Sequence, residues 1–386
     1  MKTRWNAILV ATAVVALSVV GLVMLASTSY FSDEVGGATY YTLRQHGIWL
    51  GISIAIGAIT SLIDYRWFYR LRWFIFGVTV VILALCYMPM FREQVNGASR
   101  WVTFKRVGLS FLHLQPSEFA KLSCAIVLAA WFARQEPLTR EFRAGFLYPG
   151  MILMVIVGLI ACEIDLGSAA LVASVGMGIM FVAGTRLVFL GPVLVSGLVG
   201  LGVVVKMMPN RVERIMAFMN LEKYKDGLGL QQWRAMLAFG SGGPHGVGLG
   251  NGRQKMLYLP EAHTDFIFPM VGEELGLIGT TLIVALFAAL VIGGLVIAHR
   301  AEDRFGKLLA FGIVVMLGLE ALLNMGVTTS LLPNKGLPLP FISYGGSSLL
   351  AAMIGIGILL NIHHQSPTLI KNDWSLRRRR DPLPAV

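Results

Sequence analysis

Charge is scarce in this sequence. Only 14% of its 386 residues are Asp, Glu, Lys or Arg, where an ordinary soluble domain carries about 25%. Acids are the scarcer sign, 21 Asp and Glu against 32 Lys and Arg, which leaves a net charge of +11. Cysteine is rarer still: Cys86, Cys124 and Cys162 are the 3 in the chain. Each lies in or at the edge of an apolar block, with neither a disulfide framework nor metal-ligand spacing, so all three read as buried structural thiols. So few charges exclude a water-soluble enzyme.

Hydrophobic residues make up 56% of the chain, and they arrive in blocks. The blocks are 7–25, 47–63, 74–88, 119–132, 146–161, 166–183, 187–205, 266–298, 308–327 and 341–360. Most reach the roughly 17–25 residues that cross a hydrocarbon core as a helix, and 74–88 and 119–132 do so by taking in flanking residues. None alternates with period two, and backbone polar groups cannot go unsatisfied in lipid, so the spans are predicted to be helices. Lys2 and Arg4 ahead of the first block resemble a signal peptide, but the run is longer than the usual apolar region of about 7–15 residues. The expected fold is all-α: a polytopic membrane domain of ten helices over residues 1–365, followed by a basic tail, 366–386. One long extracytoplasmic loop, 206–265, separates the seventh and eighth helices.

Basic residues favour one set of loops. Lys2, Arg4, Arg66, Arg70, Arg72, Arg134, Arg140, Arg143, Arg186, Arg300, Arg304 and Lys307 lie on one side with the tail, which holds Lys371 and Arg377 to Arg380. The short loops opposite carry fewer. This bias places both termini in the cytoplasm. The opposite face is nevertheless basic too, through residues 91–117 and 206–265. That suggests an anionic ligand there, a phosphate or pyrophosphate, with lipid headgroups or an acidic partner as the alternative.

Candidate chemistry collects in the outer loops. Gly97, Ala98, Ser99, Arg100 and Trp101 form a small-residue turn that delivers a cation and an aromatic to the interface. Gln115, Pro116, Ser117, Glu118, Phe119, Ala120 and Lys121 open the fourth span. There Glu118 and Lys121 form an i,i+3 pair about one turn into the membrane, where charges usually face a cavity. Asp165, beside Glu163, reads first as the cap of the sixth span. A glycine-rich stretch, 241–252, allows close backbone approach to phosphates but lacks a nucleotide-binding pattern. The densest constellation is Leu259, Pro260, Glu261, Ala262, His263, Thr264, Asp265 and Phe266, followed by Glu273 and Glu274. Asp265 is either a helix cap or a carboxylate base at the membrane surface. Finally, Lys335 sits in a proline-stiffened loop that leads through Ser343 to Gly345, Gly346, Ser347 and Ser348.

Four of these motifs, 97–101, 115–121, 259–266 with 272–276, and 338–348, in this order along the membrane topology, resemble the SEDS family (shape, elongation, division and sporulation) of bacterial peptidoglycan glycosyltransferases. The resemblance runs from about residue 97 to about residue 357, and the segment 332–336 with Ser347 and Ser348 is closer to the division branch than to the elongation branch. Departures from the pattern are Ile164 in the Glu163–Asp165 turn, Phe218, Met219, Asn220 and Leu221 early in the long loop, and Pro244 with His245 in the glycine loop.

The resemblance implies polymerisation of lipid II on the outer face of the bacterial inner membrane, with inversion and release of undecaprenyl pyrophosphate, at the division septum. It implies Asp265 as the base, and Glu118 and Lys121 as a cavity pair that orients substrate. Arg100, Lys121 or Lys335, or a divalent cation such as Mg or Mn, would meet the pyrophosphate. His263, Glu261, Glu273 and Ser343 are further substrate-binding candidates. The implied partners are a class B penicillin-binding protein (a transpeptidase), other division proteins of the membrane, and lipid, with no nucleic acid. Two other classes remain open on the sequence alone. In a lipid II flippase, Glu118, Lys121, Glu273 and Glu274 would line a path; the other is a non-catalytic division scaffold.

Overall fold

The computed structural model describes residues 4–35, 40–88, 92–95, 98–104, 109–207, 209–256 and 259–378. Among these, nine helices are long and apolar enough to cross a membrane. They are α1 (Arg4–Val35), α2 (Tyr41–Leu62), α3 (Arg66–Leu85), α4 (Pro116–Arg134), α5 (Tyr148–Cys162), α6 (Leu166–Ala183), α10 (Ile267–Arg300), α11 (Arg304–Thr328) and α12 (Gly346–Arg378). A tenth apolar helix, α7 (Leu187–Met207), is 21 residues long with Pro192 inside it. These are the ten expected spans, and the protein is a multi-pass membrane protein. The helix α12 continues through the expected start of the basic tail, and residues 379–386, with Arg379 and Arg380, lie outside the described residues.

Local signals explain the helix ends. Pro116 occupies the first turn of α4, where a missing N–H costs nothing. At α6, Asp165 accepts from the Ser168 amide at one end, and Gly184 takes φ 103° at the other, the pairing of acid cap and glycine stop that helices favour. The core helix is α4, nearly all of whose residues are buried. Its small residues Ala120, Ser123, Ala125 and Ala129 let α3, α6 and α11 approach closely. Gly57 and Gly357 do the same for α2 against α12, since a Cβ on Gly57 would lie 2.9 Å from the Met353 carbonyl oxygen.

Three features depart from the sequence reading. The connection from α3 to α4 holds a three-stranded antiparallel sheet, β1 (Arg92–Val95), β2 (Ala98–Phe104) and β3 (Leu109–Leu114), with Glu93 opposite Trp101 and Val102 opposite Leu114. The connection from α7 to α10 is folded, with helices α8 (Pro209–Met219) and α9 (Leu230–Gly242), and Phe239 of α9 packs edge-on against Phe268 at 5.7 Å. Cys86 and Cys124 are buried as expected, but Cys162 is exposed at the end of α5.

The helix α10 is broken. Gly276 adopts φ 67°, ψ −161° inside it, a conformation open essentially to glycine alone. The glycine-rich stretch fills the break. Val247 and Gly248 donate their amides to the carbonyls of Glu273 and Glu274 at 2.9 and 3.1 Å, while Leu277 and Ile278 donate to the carbonyls of Gly243 and Pro244 at 2.9 and 3.3 Å. The groups released by the break are thus re-paired, as an apolar surrounding demands. Gly246 and Gly276 permit this approach, because a Cβ on either would collide with the other segment's backbone.

Candidate active site

Asp265 stands just before α10, at the end of the bundle where α4, α6, α10 and α12 begin. Its chain is fastened from three sides. Asn324 of α11 donates its Nδ2 to the Asp265 carbonyl at 2.9 Å and to the Leu337 carbonyl at 2.6 Å. The Ser343 hydroxyl donates to the Thr264 carbonyl at 2.6 Å and accepts from the Leu339 amide at 2.8 Å. The Tyr344 amide donates to the His263 carbonyl at 3.0 Å. Glu261, at φ 60°, starts the turn, and its carbonyl accepts from the Thr264 and Phe266 amides.

Capping does not account for Asp265. Phe266 holds the cap position of α10, and no side chain caps that helix. The carboxylate instead lies against Gly336, where any Cβ would collide with Oδ2. Burial, reinforced by the charge of Glu261 and, to a lesser degree, of Asp165, pushes its pKa up to about 6 against the pull of Arg100. That is a carboxylate basic enough to take a proton and still ionised at neutral pH.

Beside it, Asp165 gathers the cations. Its side chain is only 2% exposed and accepts from the Ser168 amide at 3.2 Å and hydroxyl at 2.8 Å. It also pairs with Lys335 Nζ at 3.1 Å and lies 3.8 Å from Arg100 Nε. Burial alone would raise its pKa, but Lys335 and Arg100, with the two Ser168 contacts, hold it below the ordinary carboxylate range. Asp165 therefore caps α6, as the sequence suggested, and does more. Arg100 and Lys335, the cations expected to meet the pyrophosphate, share this buried partner. Neighbouring Glu163 is pushed up to about 8 by burial, opposed by the Cys86 thiol and Arg100 and reinforced by Asp165.

Deeper in the bundle, Lys121 Nζ lies 2.7 Å from Glu118 Oε2 and 2.7 Å from Glu320 Oε1, all three side chains at most 3% exposed. The expected pair is a triad. Glu320 was missed, although a lone carboxylate inside the apolar block 308–327 is itself a signal, since such a group requires a partner.

Glu273, a substrate-binding candidate, and its neighbour Glu274 are both engaged by the loop at the break in α10. Glu273 accepts from the amides of Arg253 at 2.8 Å and Gln254 at 3.2 Å. Glu274 pairs with Lys255 Nζ at 2.7 Å and accepts from Ser27 Oγ at 2.7 Å and the Gly250 amide at 3.1 Å. Both acids hold the loop that fills the break in α10. Glu261 accepts from the Thr264 hydroxyl at 2.8 Å, the Ser343 hydroxyl is spent on backbone, and His263 packs edge-on against Tyr344 at 6.0 Å. These last three shape the turn that carries Asp265. Gly97, which begins the Arg100 motif, lies outside the described residues.

Among the described residues no three His, Cys, Asp or Glu side chains gather as metal ligands would, and Asp165 is occupied by two cations.

Comparison with known proteins gives a consistent result. A family model described as "Cell cycle protein", spanning FtsW, RodA and SpoVE, matches residues 7–368. The chain is 41% identical over 358 residues to the "Probable peptidoglycan glycosyltransferase FtsW" of Trichlorobacter lovleyi, covering 90% of this chain and 91% of that protein. It is 37% identical to the similarly named protein of Coxiella burnetii, covering 91% and 94%. Among solved structures it is similar to a chain of a peptidoglycan synthase complex that coordinates polymerization and crosslinking, with TM-score 0.76 and 27% identity over 92% of this chain and 97% of that one. It is also similar to the rod shape determining protein RodA of Thermus thermophilus, with TM-score 0.66 and 25% identity over 92% and 96%. A match over nearly the whole length, with the fold in common, settles the kinship: the chain belongs to the FtsW, RodA and SpoVE family of cell cycle proteins, the SEDS family.

Proposed function

We propose that this protein is a peptidoglycan glycosyltransferase that polymerises lipid II on the outer face of the inner membrane, with Asp265 as general base. The observation that carries this reading is the Asp265 carboxylate itself, raised in basicity, excluded from capping, and set beside Arg100, one of the two part-exposed cations that Asp165 gathers. The 4-hydroxyl of the acceptor's GlcNAc must lose a proton as it attacks the anomeric carbon of the growing chain. Asp265 takes that proton, which requires hydrogen-bond reach and a suitable pKa. Attack from the face opposite the leaving group inverts the anomeric centre. The departing undecaprenyl pyrophosphate accumulates negative charge, which Arg100 and Lys335 stabilise. The relatives' names and the synthase complex support the same activity.

The complex also supports a class B penicillin-binding protein as the partner that cross-links the new strand. The basic loops support cytoplasmic termini, which put Asp265 on the outer face, and the division-branch sequence features support work at the septum. A transport path is disfavoured by Glu273 and Glu274, whose carboxylates are tied to a loop.

The test is glycan product from lipid II with purified protein and its transpeptidase partner. Asp265→Asn is expected to fold and bind its partner while losing polymerisation almost entirely, because an amide cannot accept the proton. Near-normal polymer from Asp265→Asn would remove it as the base. Flipping of lipid II without polymer by the native protein would favour transport.

A further inference from the structure

We propose that Asp165 is a positioning residue that pins Arg100 and Lys335 side by side, from beneath the surface, as one platform for the pyrophosphate of the lipid-linked substrate. The inference rests on the glycosyltransferase reading and deepens it. Arg100 comes from β2, Asp165 from the turn between α5 and α6, and Lys335 from the segment between α11 and α12. No local structure brings these cations together, and the carboxylate they share is Asp165, at 3.8 and 3.1 Å.

The burial is graded in the direction a platform needs. The Asp165 side chain is 2% exposed, whereas Arg100 keeps 33% and Lys335 27%. The carboxylate therefore lies below, and each cation retains surface for an incoming anion. Asp165 is itself immobilised, because Ser168 holds both its oxygens at the start of α6, where the helix dipole favours an anion. A second observation comes from Gly167: a Cβ there would run into the Lys335 chain. The Lys335 stem thus lies across the first turn of α6, on a track that only glycine leaves clear. Asp165 thus holds Lys335 by a hydrogen bond and Arg100 by charge at 3.8 Å before the ligand arrives, and charge placed in advance in this way gains strength.

Capping alone makes a different demand, since Asn caps about as well as Asp. The experiment uses the full chain with its transpeptidase partner in lipid nanodiscs. It measures inorganic pyrophosphate binding by calorimetry, lipid II kinetics, and thermal stability for the native protein, Asp165→Asn and Gly167→Ala. Asp165→Asn is expected to melt with the native protein, to bind pyrophosphate about tenfold more weakly and to raise KM for lipid II in parallel, with kcat within about threefold. Gly167→Ala is expected to reproduce the loss of affinity without changing any charge, and it decides the matter if Asp165→Asn fails to fold. A further readout separates Asp165 from a purely structural residue. The groups facing it are Lys335, Arg100, Ser168, Glu163 and Asp265, and those facing Asp265 are Glu261, Arg100 and Asp165. Removing the Asp165 charge should therefore move the acid limb of the rate profile to lower pH, and Gly167→Ala should leave that limb in place. Pyrophosphate bound as tightly or more tightly by Asp165→Asn would overturn the proposal, as would a fall in kcat with KM unchanged. If the native protein binds pyrophosphate in this pattern yet makes no polymer, the activity reading fails and the platform stands. If it polymerises lipid II but binds no pyrophosphate, the platform fails alone.

Discussion

A base works only while it is ionised, so the environment of Asp265 fixes a pH dependence. Its pKa is raised to about 6, and protonation below that value removes the acceptor. Polymerisation at limiting lipid II should therefore rise with pH through about 6 and level off above it, and a rate profile from pH 5 to 8 checks this. Gly336 offers a cleaner probe of the same carboxylate. Gly336→Ala adds one methyl group against Asp265 Oδ2 and should cut kcat by about tenfold or more, since reaction geometry is steep in distance. A melting temperature close to native would show that the carboxylate was displaced and the fold spared.

The buried triad of Glu118, Lys121 and Glu320 makes a stability prediction. Lys121→Met leaves two acids without their cation and should cost about 3–5 kcal/mol. The double change Glu118→Gln with Lys121→Met should cost less than the sum of the single changes, measured by a thermal-shift cycle. At this scale the pairing of Glu118 with Lys121 was legible in the sequence, because helical spacing announces it. The sequence did not disclose that Glu320 completes the triad or that Asp165 collects Arg100 and Lys335. Those contacts join residues far apart in the chain, and only helix packing decides them.

At the scale of elements, the break in α10 is the feature the sequence concealed. An apolar run over 266–298 reads as one long helix, and the two acids at Glu273 and Glu274 were the only local sign that part of it serves another surface. The break rests on Gly276, whose φ and ψ exclude other residues and whose Cβ would strike the inserted loop. Gly276→Ala should cost about 1–3 kcal/mol from backbone strain alone, and more as the loop is expelled. Limited proteolysis should then cut between residues 243 and 252 in the variant and spare the native protein. The small sheet of β1, β2 and β3 escaped notice for another reason: strands of 4 to 7 residues alternate too briefly to stand out from a loop.

For the whole molecule, ten spans and their order were legible because the bilayer imposes a length and a polarity on every crossing. Helix packing was not, since lipid and protein interior are equally apolar. The orientation can be read from native thiols. Cys162 is exposed at the end of the bundle that holds Asp265, while Cys86 and Cys124 are buried. A membrane-impermeant maleimide should label spheroplasts at Cys162 alone, and Cys162→Ser should abolish the signal. Labelling seen only after permeabilisation would invert the assigned topology.

The break in α10 also bears on how the enzyme meets bilayers of different thickness. Residues 277–300 make a rod of about 36 Å at about 1.5 Å per residue, enough to cross by itself, and such a rod answers a thicker or thinner bilayer by tilting. Residues 267–275 do not belong to that rod. They are joined to the inserted loop, as Leu277 and Ile278 at the head of the rod also are, while Asp265 is held in register with α11 through Asn324. If the backbone at Gly276 takes up that tilt, the turnover of the native enzyme should be nearly flat across nanodiscs of different acyl length, and a chain without the break should lose that tolerance.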